Sequence, residues 1–172
     1  DEIRRCLSLC SRPLFVRLLA EQAANWSCHD DPRIDAQDIA ALVALAFDRL
    51  SADSVHGATL VSHALGYIAA SQFGLGDDEL LDALSQNEQV MTAFRRRHPD
   101  SPPIGRLPYI IWASLRADLS TYLSTRQAIG AEVQDFYHLE LRDVAALRLR
   151  EQVPEAQTHQ QLAAMFRARG QD

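Results

Sequence analysis

One segment of this chain has the residue pattern of β-structure, whereas the other long segments have the pattern of α-helix. The segment is STYLSTRQAIGAEVQDFYH, residues 120–138, which is rich in Thr, Tyr, Val and Phe and has Gly130 near its middle. Such a run, divided by a glycine, is typical of a β-hairpin. A single hairpin among helices indicates a mostly α fold with a two-stranded sheet.

Apolar residues recur at helical spacing before and after the hairpin. Two helices are predicted in the first third of the chain, with Ser11 as an N-cap for the first. Further on, a glycine-containing turn is followed by Asp77 and Asp78, whose charge favours a helix start. The sequence predicts helices at about residues 12–26, 35–50, 58–72, from Asp77 onward, through EQVMTAFRRR, at about 106–118, at 139–151 and after Pro154.

With EQVMTAFRRR taken as a further turn or more after the helix that starts at Asp77, the central order is three helices, a hairpin and another helix. Helix-turn-helix followed by a hairpin is the winged-helix plan, in which the hairpin is the wing. We therefore predict a helical subdomain at residues 1–56, a winged-helix domain at 57–151 and the start of a following helical region at 152–172. The chain opens with DEIRRCLSLC, which is typical of the end of a helix, so we expect a fragment of a longer protein.

Composition excludes some classes of protein. The formal net charge is −6, whereas nucleic-acid binders usually carry a basic face. No run of about 18 apolar residues is present, so we expect no membrane-spanning helix.

The three cysteines lack disulfide spacing, which favours a reducing cytoplasm. Cys6, Cys10, Cys28 and His29 would be the only zinc set, but no C-x-x-C pair supports it, and we predict no metal site.

Five segments carry recognisable motifs, and they follow one another in this order: CSRPLFVRLLAE, ALGYIAASQFGLGDDELLDAL, LPYIIWASLRADLSTYL, FYHLELRDVAAL and THQQLAAMF. In the second segment an alanine- and leucine-rich helix ends in Ser-x-x-Gly-Leu before an acidic pair. These motifs and their order resemble the NACHT-type STAND nucleotide-binding family, in which the second segment would be the start of the winged helix.

The resemblance implies a regulatory role in which a P-loop domain elsewhere in the same protein holds ADP or ATP with Mg²⁺. By analogy, Pro13 would pack near adenine and His138 would contact the β-phosphate of ADP. Exchange of ADP for ATP would release the winged helix and permit homo-oligomerisation, in a setting such as cytoplasmic defence. This chain has no GxxxxGK(S/T) motif and no lysine, so we expect no catalytic residues and no nucleotide bound by the chain alone.

His138 has two physical interpretations. It stands at the predicted junction between hairpin and helix, where helix N–H groups and the helix dipole favour an anion. An imidazole there can donate a hydrogen bond to phosphate, or it can cap its own helix. Pro13 has a similar alternative, because proline is common in a first helical turn without any ligand. Arg142 and Asp143 are candidates either for ion pairs with the nucleotide domain or for solvent-exposed charges.

The main alternative function is a DNA-binding winged-helix transcription regulator. Its recognition helix would be residues 106–118, which offer Arg106 and Arg116 around an apolar middle. Base and phosphate contacts require hydrogen-bond donors, and an apolar helix is better suited to packing on protein. A protein-interaction module without any nucleotide is the third possibility. His29, Asp30 and Asp31 offer weak acid–base or metal chemistry, but caps of turns are the simpler role.

Overall fold

The computed structural model describes residues 2–10, 12–24, 36–128 and 130–170. Within these ranges the chain is mostly helical, with one two-stranded antiparallel sheet, as predicted. The elements are α1 (Glu2–Leu9), α2 (Pro13–Ala24), α3 (Ile39–Ser51), α4 (Ala58–Ala70), α5 (Asp77–Gln86), α6 (Glu88–Arg97), α7 (Tyr109–Asp118), β1 (Leu123–Ala128), β2 (Ala131–Phe136), α8 (Leu139–Gln152) and α9 (Glu155–Arg169).

The chain divides into two compact units, Asp1–Arg49 and Leu50–Asp172. In the first unit α1 packs against α2, and Cys6, Phe15 and Leu18 are buried. Helix α3 begins at Ile39 rather than near residue 35, because the carboxylate of Asp38 caps it by accepting the Ala41 N–H at 2.8 Å. The predicted cap Ser11 and the segment from 25 to 35, with Cys28, His29, Asp30 and Asp31, lie outside the described residues.

Helix α4 is the centre of the second unit. Every residue from Leu60 to Ile68 is buried, which is typical of a helix that is covered on all sides. It packs against α5, α6, α8, α9 and β2, and its contact with α8 is the most extensive between any two described helices. Gly66 allows this close approach, because the side chain of Leu149 occupies the space that a Cβ at residue 66 would need.

The turn between α4 and α5 joins the wing. Leu75 pairs with Gln134 of β2 in an antiparallel bridge, with N···O distances of 3.1 and 2.8 Å. Helix α5 then begins at Asp77, as predicted, and the Glu79 carboxylate accepts the Gly76 N–H at 2.8 Å. The helix-turn-helix is therefore connected to the hairpin by backbone as well as by side chains.

Helix α7 begins later than the sequence pattern indicated. It starts at Tyr109, and Arg106 and Leu107 precede it in non-helical conformation. Residues before a proline are disfavoured in helix, and here Pro108 stands at the N-cap. Trp112 and Leu115 are the buried residues of α7.

The wing is the β1–β2 hairpin, in which Leu123 pairs with Phe136 and Ala128 pairs with Ala131. Gly130 lies in its turn, as predicted. Helix α8 follows β2 after two residues and packs against α4.

Helix α9 begins directly after Pro154 and packs against α4 and α5. The Tyr67 hydroxyl donates to Gln161 of α9 at 2.8 Å and accepts from Asn87 at 2.8 Å.

The domain boundaries predicted at 56/57 and 151/152 stay predictions. Among the described residues, no helix combines the length and the apolar character that crossing a membrane would require.

Candidate functional site

His138 occupies the corner between the wing and α8. Its backbone is extended, with φ −142° and ψ 140°, and it is the N-cap residue of α8. The Nδ1 atom accepts the Glu140 N–H at 3.3 Å. The structure therefore shows the capping role that was the alternative interpretation of this residue. Capping also selects a tautomer, because an imidazole whose Nδ1 accepts carries its proton on Nε2.

The rest of the His138 ring has capacity for a further contact. The residue is half-buried, and Nε2 makes no hydrogen bond with any described residue. The adjacent Leu139 is 73% exposed, and it begins a helix of 14 residues whose first N–H groups point towards the same corner. The corner thus combines a free N–H donor, an apolar side chain and a helix N-terminus.

A buried carboxylate holds this corner in place. Asp135, which is 4% exposed, accepts from the guanidinium groups of Arg126 in β1 and Arg142 in α8, the latter at 2.8 Å. Its Oδ1 also accepts the Phe136 N–H at 2.8 Å, and Arg142 donates to the Ser71 carbonyl oxygen at 3.2 Å. This network links both strands, the start of α8 and the end of α4.

Arg142 and Asp143, the two charged candidates at the start of α8, have different surroundings in the fold. Arg142 forms its ion pair inside the domain, with Asp135, whereas Asp143 is exposed. The sequence pattern did not indicate Asp135 as an anchor, because its partners are 7 and 9 residues away and meet it only in the folded chain.

Pro13 lies in the other compact unit. It is the first residue of α2 and is exposed, and the Val16 N–H bonds to the Arg12 carbonyl oxygen across it at 3.1 Å. This is the first-turn position in which the missing N–H of proline has no cost. The two residues predicted to contact nucleotide therefore belong to different units.

The arginines of the possible DNA-recognition helix are held by α5. Arg116 lies 2.5 Å from an Asp77 carboxylate oxygen, and Trp112 Nε1 donates to the same carboxylate at 2.8 Å. Arg106 bonds to Asp78 at 3.0 Å and to Asp82 at 2.8 Å, and the Asp78 hydrogen bond raises the pKa of Arg106. These cations are already paired with carboxylates, which reduces what they offer to phosphate.

Two histidines outside the corner have partners that the sequence did not indicate. His56 Nε2 lies 2.7 Å from an Asp118 carboxylate oxygen. His63 is fully buried in α4, where its Nδ1 bonds to the Thr59 carbonyl oxygen at 2.8 Å. Its Nε2 has no hydrogen-bond partner within the part of the chain that the structure describes. Burial lowers the pKa of His63, and the Thr59 hydrogen bond opposes that effect.

No group of three or more metal-binding side chains occurs among the described residues. Of the four residues that could form a zinc set by residue type, Cys6 is buried and Cys10 is half-buried, while Cys28 and His29 lie outside the described part.

Comparison with known proteins is consistent with this geometry. Residues 41–153 match the family model for the NWD1-like, winged helix-turn-helix domain. The chain is 33% identical over 167 residues to the NACHT domain- and WD repeat-containing protein 1 of Mus musculus, covering 96% of this chain and 11% of that protein. The Homo sapiens protein of the same name is also 33% identical over 167 residues, with 96% and 10% covered.

A third relative is the NACHT and WD repeat domain-containing protein 2 of Homo sapiens, which is 34% identical over 126 residues, or 72% of this chain and 7% of that protein. The chain thus spans between 7% and 11% of the length of these three relatives. No solved structure matches it. The family model covers well over half of the chain, and the chain therefore belongs to the NWD1-like winged helix-turn-helix family, as a winged-helix region of the NACHT type.

Proposed function

We propose that this chain is the regulatory, nucleotide-state-sensing module of a NACHT-type signalling protein. In this proposal a P-loop domain of the same protein holds ADP or ATP with Mg²⁺, and His138 Nε2 donates a hydrogen bond to the β-phosphate of ADP. The observation that carries the proposal is the hydrogen bond from the Glu140 N–H to His138 Nδ1. An imidazole whose Nδ1 accepts carries its proton on Nε2, and this Nε2 has no partner among the described residues.

The physical chemistry of the corner suits a diphosphate. A hydrogen bond to a charged group contributes about 1.5–3 kcal/mol, which corresponds to roughly 10- to 150-fold in affinity. The N-terminus of α8 adds a favourable dipole for an anion. The network around Asp135 restricts the motion of the corner, so that less conformational entropy is lost when a phosphate binds.

Switching requires a difference between two states. A γ-phosphate would extend towards the space that the imidazole occupies when it contacts the β-phosphate, so ATP and ADP would interact differently with the closed arrangement. A ligand shifts a conformational equilibrium only by such a difference in affinity. In the proposed cycle ATP releases the winged helix, and the released protein forms homo-oligomers in the cytoplasm.

The chain itself is proposed to be non-catalytic. It has no lysine and no GxxxxGK(S/T) motif, so any ATP hydrolysis would belong to the P-loop domain. Pro13 would contribute an apolar contact near the adenine, which its exposed position at the start of α2 permits.

The experiment uses the full-length parent protein and separates capping from phosphate contact. His138→Asn keeps a strong N-cap residue but removes the Nε2 donor, whereas His138→Ala removes both. We expect both variants to lose fluorescent ADP at least 10-fold faster than the parent, and only His138→Ala to lower the melting temperature. His159→Ala, at an exposed position of α9, is the matched control. Wild-type ADP retention in His138→Asn would contradict the phosphate contact.

The paired arginines favour this proposal over DNA binding. Both Arg106 and Arg116 already have carboxylate partners in α5, and Arg126 of the wing pairs with Asp135. A direct comparison is a mobility-shift titration of the chain with duplex DNA at low salt, for which we expect no shift.

A further inference from the structure

A second candidate site lies in the second compact unit, Leu50–Asp172, and is formed by residues outside the His138 corner. It is a partly enclosed cavity of about 360 Å³ between the start of α4, the C-terminal half of α6 and the start of α7. The apolar part of its lining includes Leu60, Val90, Phe94 and Leu107, which are all buried in the protein. Cavities of roughly 300–1,000 Å³ with an apolar lining are typical of small-molecule sites.

The polar part of the lining is mostly basic. Among the described residues, the charged and titratable side chains that line the cavity are Asp53, His56, Arg96, Arg97 and His98. Among the described residues, the lining thus contains one carboxylate, Asp53, and two arginines, Arg96 and Arg97. The imidazole of His56 already has a partner, since its Nε2 lies 2.7 Å from Asp118. The remaining balance of charge favours an anion.

Arg97 has no counter-ion among the described residues. Its Nη2 donates to the Val55 carbonyl oxygen at 2.8 Å, and its Nη1 is buried without an acceptor in the described part of the chain. Nη1 packs against Gly57, whose φ is +86°, and a Cβ at that position would overlap it. Arg97 as a whole is half-buried, so only its Nη1 atom carries the cost of being shielded from water, and an anion in the cavity would offset that cost through its charge.

We infer that this cavity binds a small amphipathic carboxylate, with its apolar body against Leu60 and Phe94 and its carboxylate near Arg96, Arg97 and His98. Gly57 offers no side-chain cap to α4, so the first N–H groups of that helix add to the favourable field. The apolar lining distinguishes this ligand from a free phosphate, and the basic groups distinguish it from a neutral lipid. The site is independent of the proposed nucleotide switch.

The first test is a calorimetric titration of the 172-residue chain with octanoate, octanol and inorganic phosphate. Octanoate combines both features, whereas octanol lacks the charge and phosphate lacks the apolar body. We expect one octanoate per chain, bound at least 10-fold more tightly than either of the others. Absence of octanoate binding, or equal binding of phosphate, would overturn the inference.

Variants then locate the site. Arg96→Gln should weaken octanoate binding about 10-fold, the effect of losing one charged contact. Arg95→Gln is the matched control, because Arg95 is exposed on the same helix but does not line the cavity. Ala93→Phe should fill the space and abolish binding. Equal weakening by Arg95→Gln and Arg96→Gln would show nonspecific attraction to a basic surface, and the cavity would not be the site.

Discussion

Replacing Gly66 by alanine tests the packing that holds α8, and with it His138, in position. An alanine within a helix is normally more stable than glycine by about 1 kcal/mol, so propensity alone predicts a gain. At this position the new Cβ would overlap Leu149 Cδ2 and would lie 2.5 Å from its Cβ and 2.6 Å from its Cγ. Carbon atoms in good contact are about 3.5–4.0 Å apart.

The contact with the Leu149 Cβ decides the magnitude. A change of rotamer moves Cγ and Cδ2 but leaves Cβ fixed to the backbone, so α8 itself must shift by about 1 Å to restore ordinary contact. Overpacking of this kind costs typically about 1–3 kcal/mol, and we place this case at the upper end. After the gain in helix propensity, the net loss is about 2 kcal/mol. For a chain of this length that corresponds to a fall of about 4–8 °C in Tm.

The assay is urea unfolding followed by circular dichroism, with a thermal scan alongside. Gly105→Ala is the matched control, because a Cβ there meets no atom within 4 Å, and we expect a change within about 0.5 kcal/mol. In a Leu149→Ala background the penalty of Gly66→Ala should shrink but not vanish, since the contact with Cβ remains. A Gly66→Ala variant as stable as the parent, or more stable, would refute the packing argument.

Two further outcomes are expected. Asp135→Asn should lower the free energy of unfolding by about 1–3 kcal/mol, which is less than for a fully buried pair because Arg126 and Arg142 are 55% and 26% exposed. Urea unfolding measures the change, with Asp143→Asn as a control that we expect to be near neutral. Equal effects of the two substitutions would argue against the network. Burial lowers the pKa of His63 below its ordinary 6.5, so the unfolded chain binds more protons just below that pH, and stability should decrease as the pH falls through 6.5. Urea midpoints between pH 7.5 and pH 5.5 should show a shallower decrease in His63→Leu than in the parent, and parallel curves would contradict the assignment.

The order of helices and the hairpin was predictable from short stretches of sequence. Helical periodicity, the acidic start at Asp77, the break at Pro154 and the glycine in the wing all act over a few residues. His138 was placed at the junction for the same reason, because the end of one pattern and the start of the next are adjacent in the chain. Even so, α7 began three residues later than its pattern indicated, since Pro108 restricts the residue before it.

The candidate site depended on contacts that no local pattern contains. The bridge between Leu75 and Gln134 joins residues far apart in sequence, and the approach of Leu149 to Gly66 brings two helices together across 83 positions. Asp77 is recognisable as a helix start, but its role in holding Arg116 and Trp112 appears only when α7 lies beside α5. Sequence alone determined which segments form helices and strands, because hydrophobic periodicity and the signals at helix ends involve residues close together in the chain. Tertiary structure decided which charges are paired and which nitrogen of His138 is free, because both depend on what the fold places within hydrogen-bonding distance.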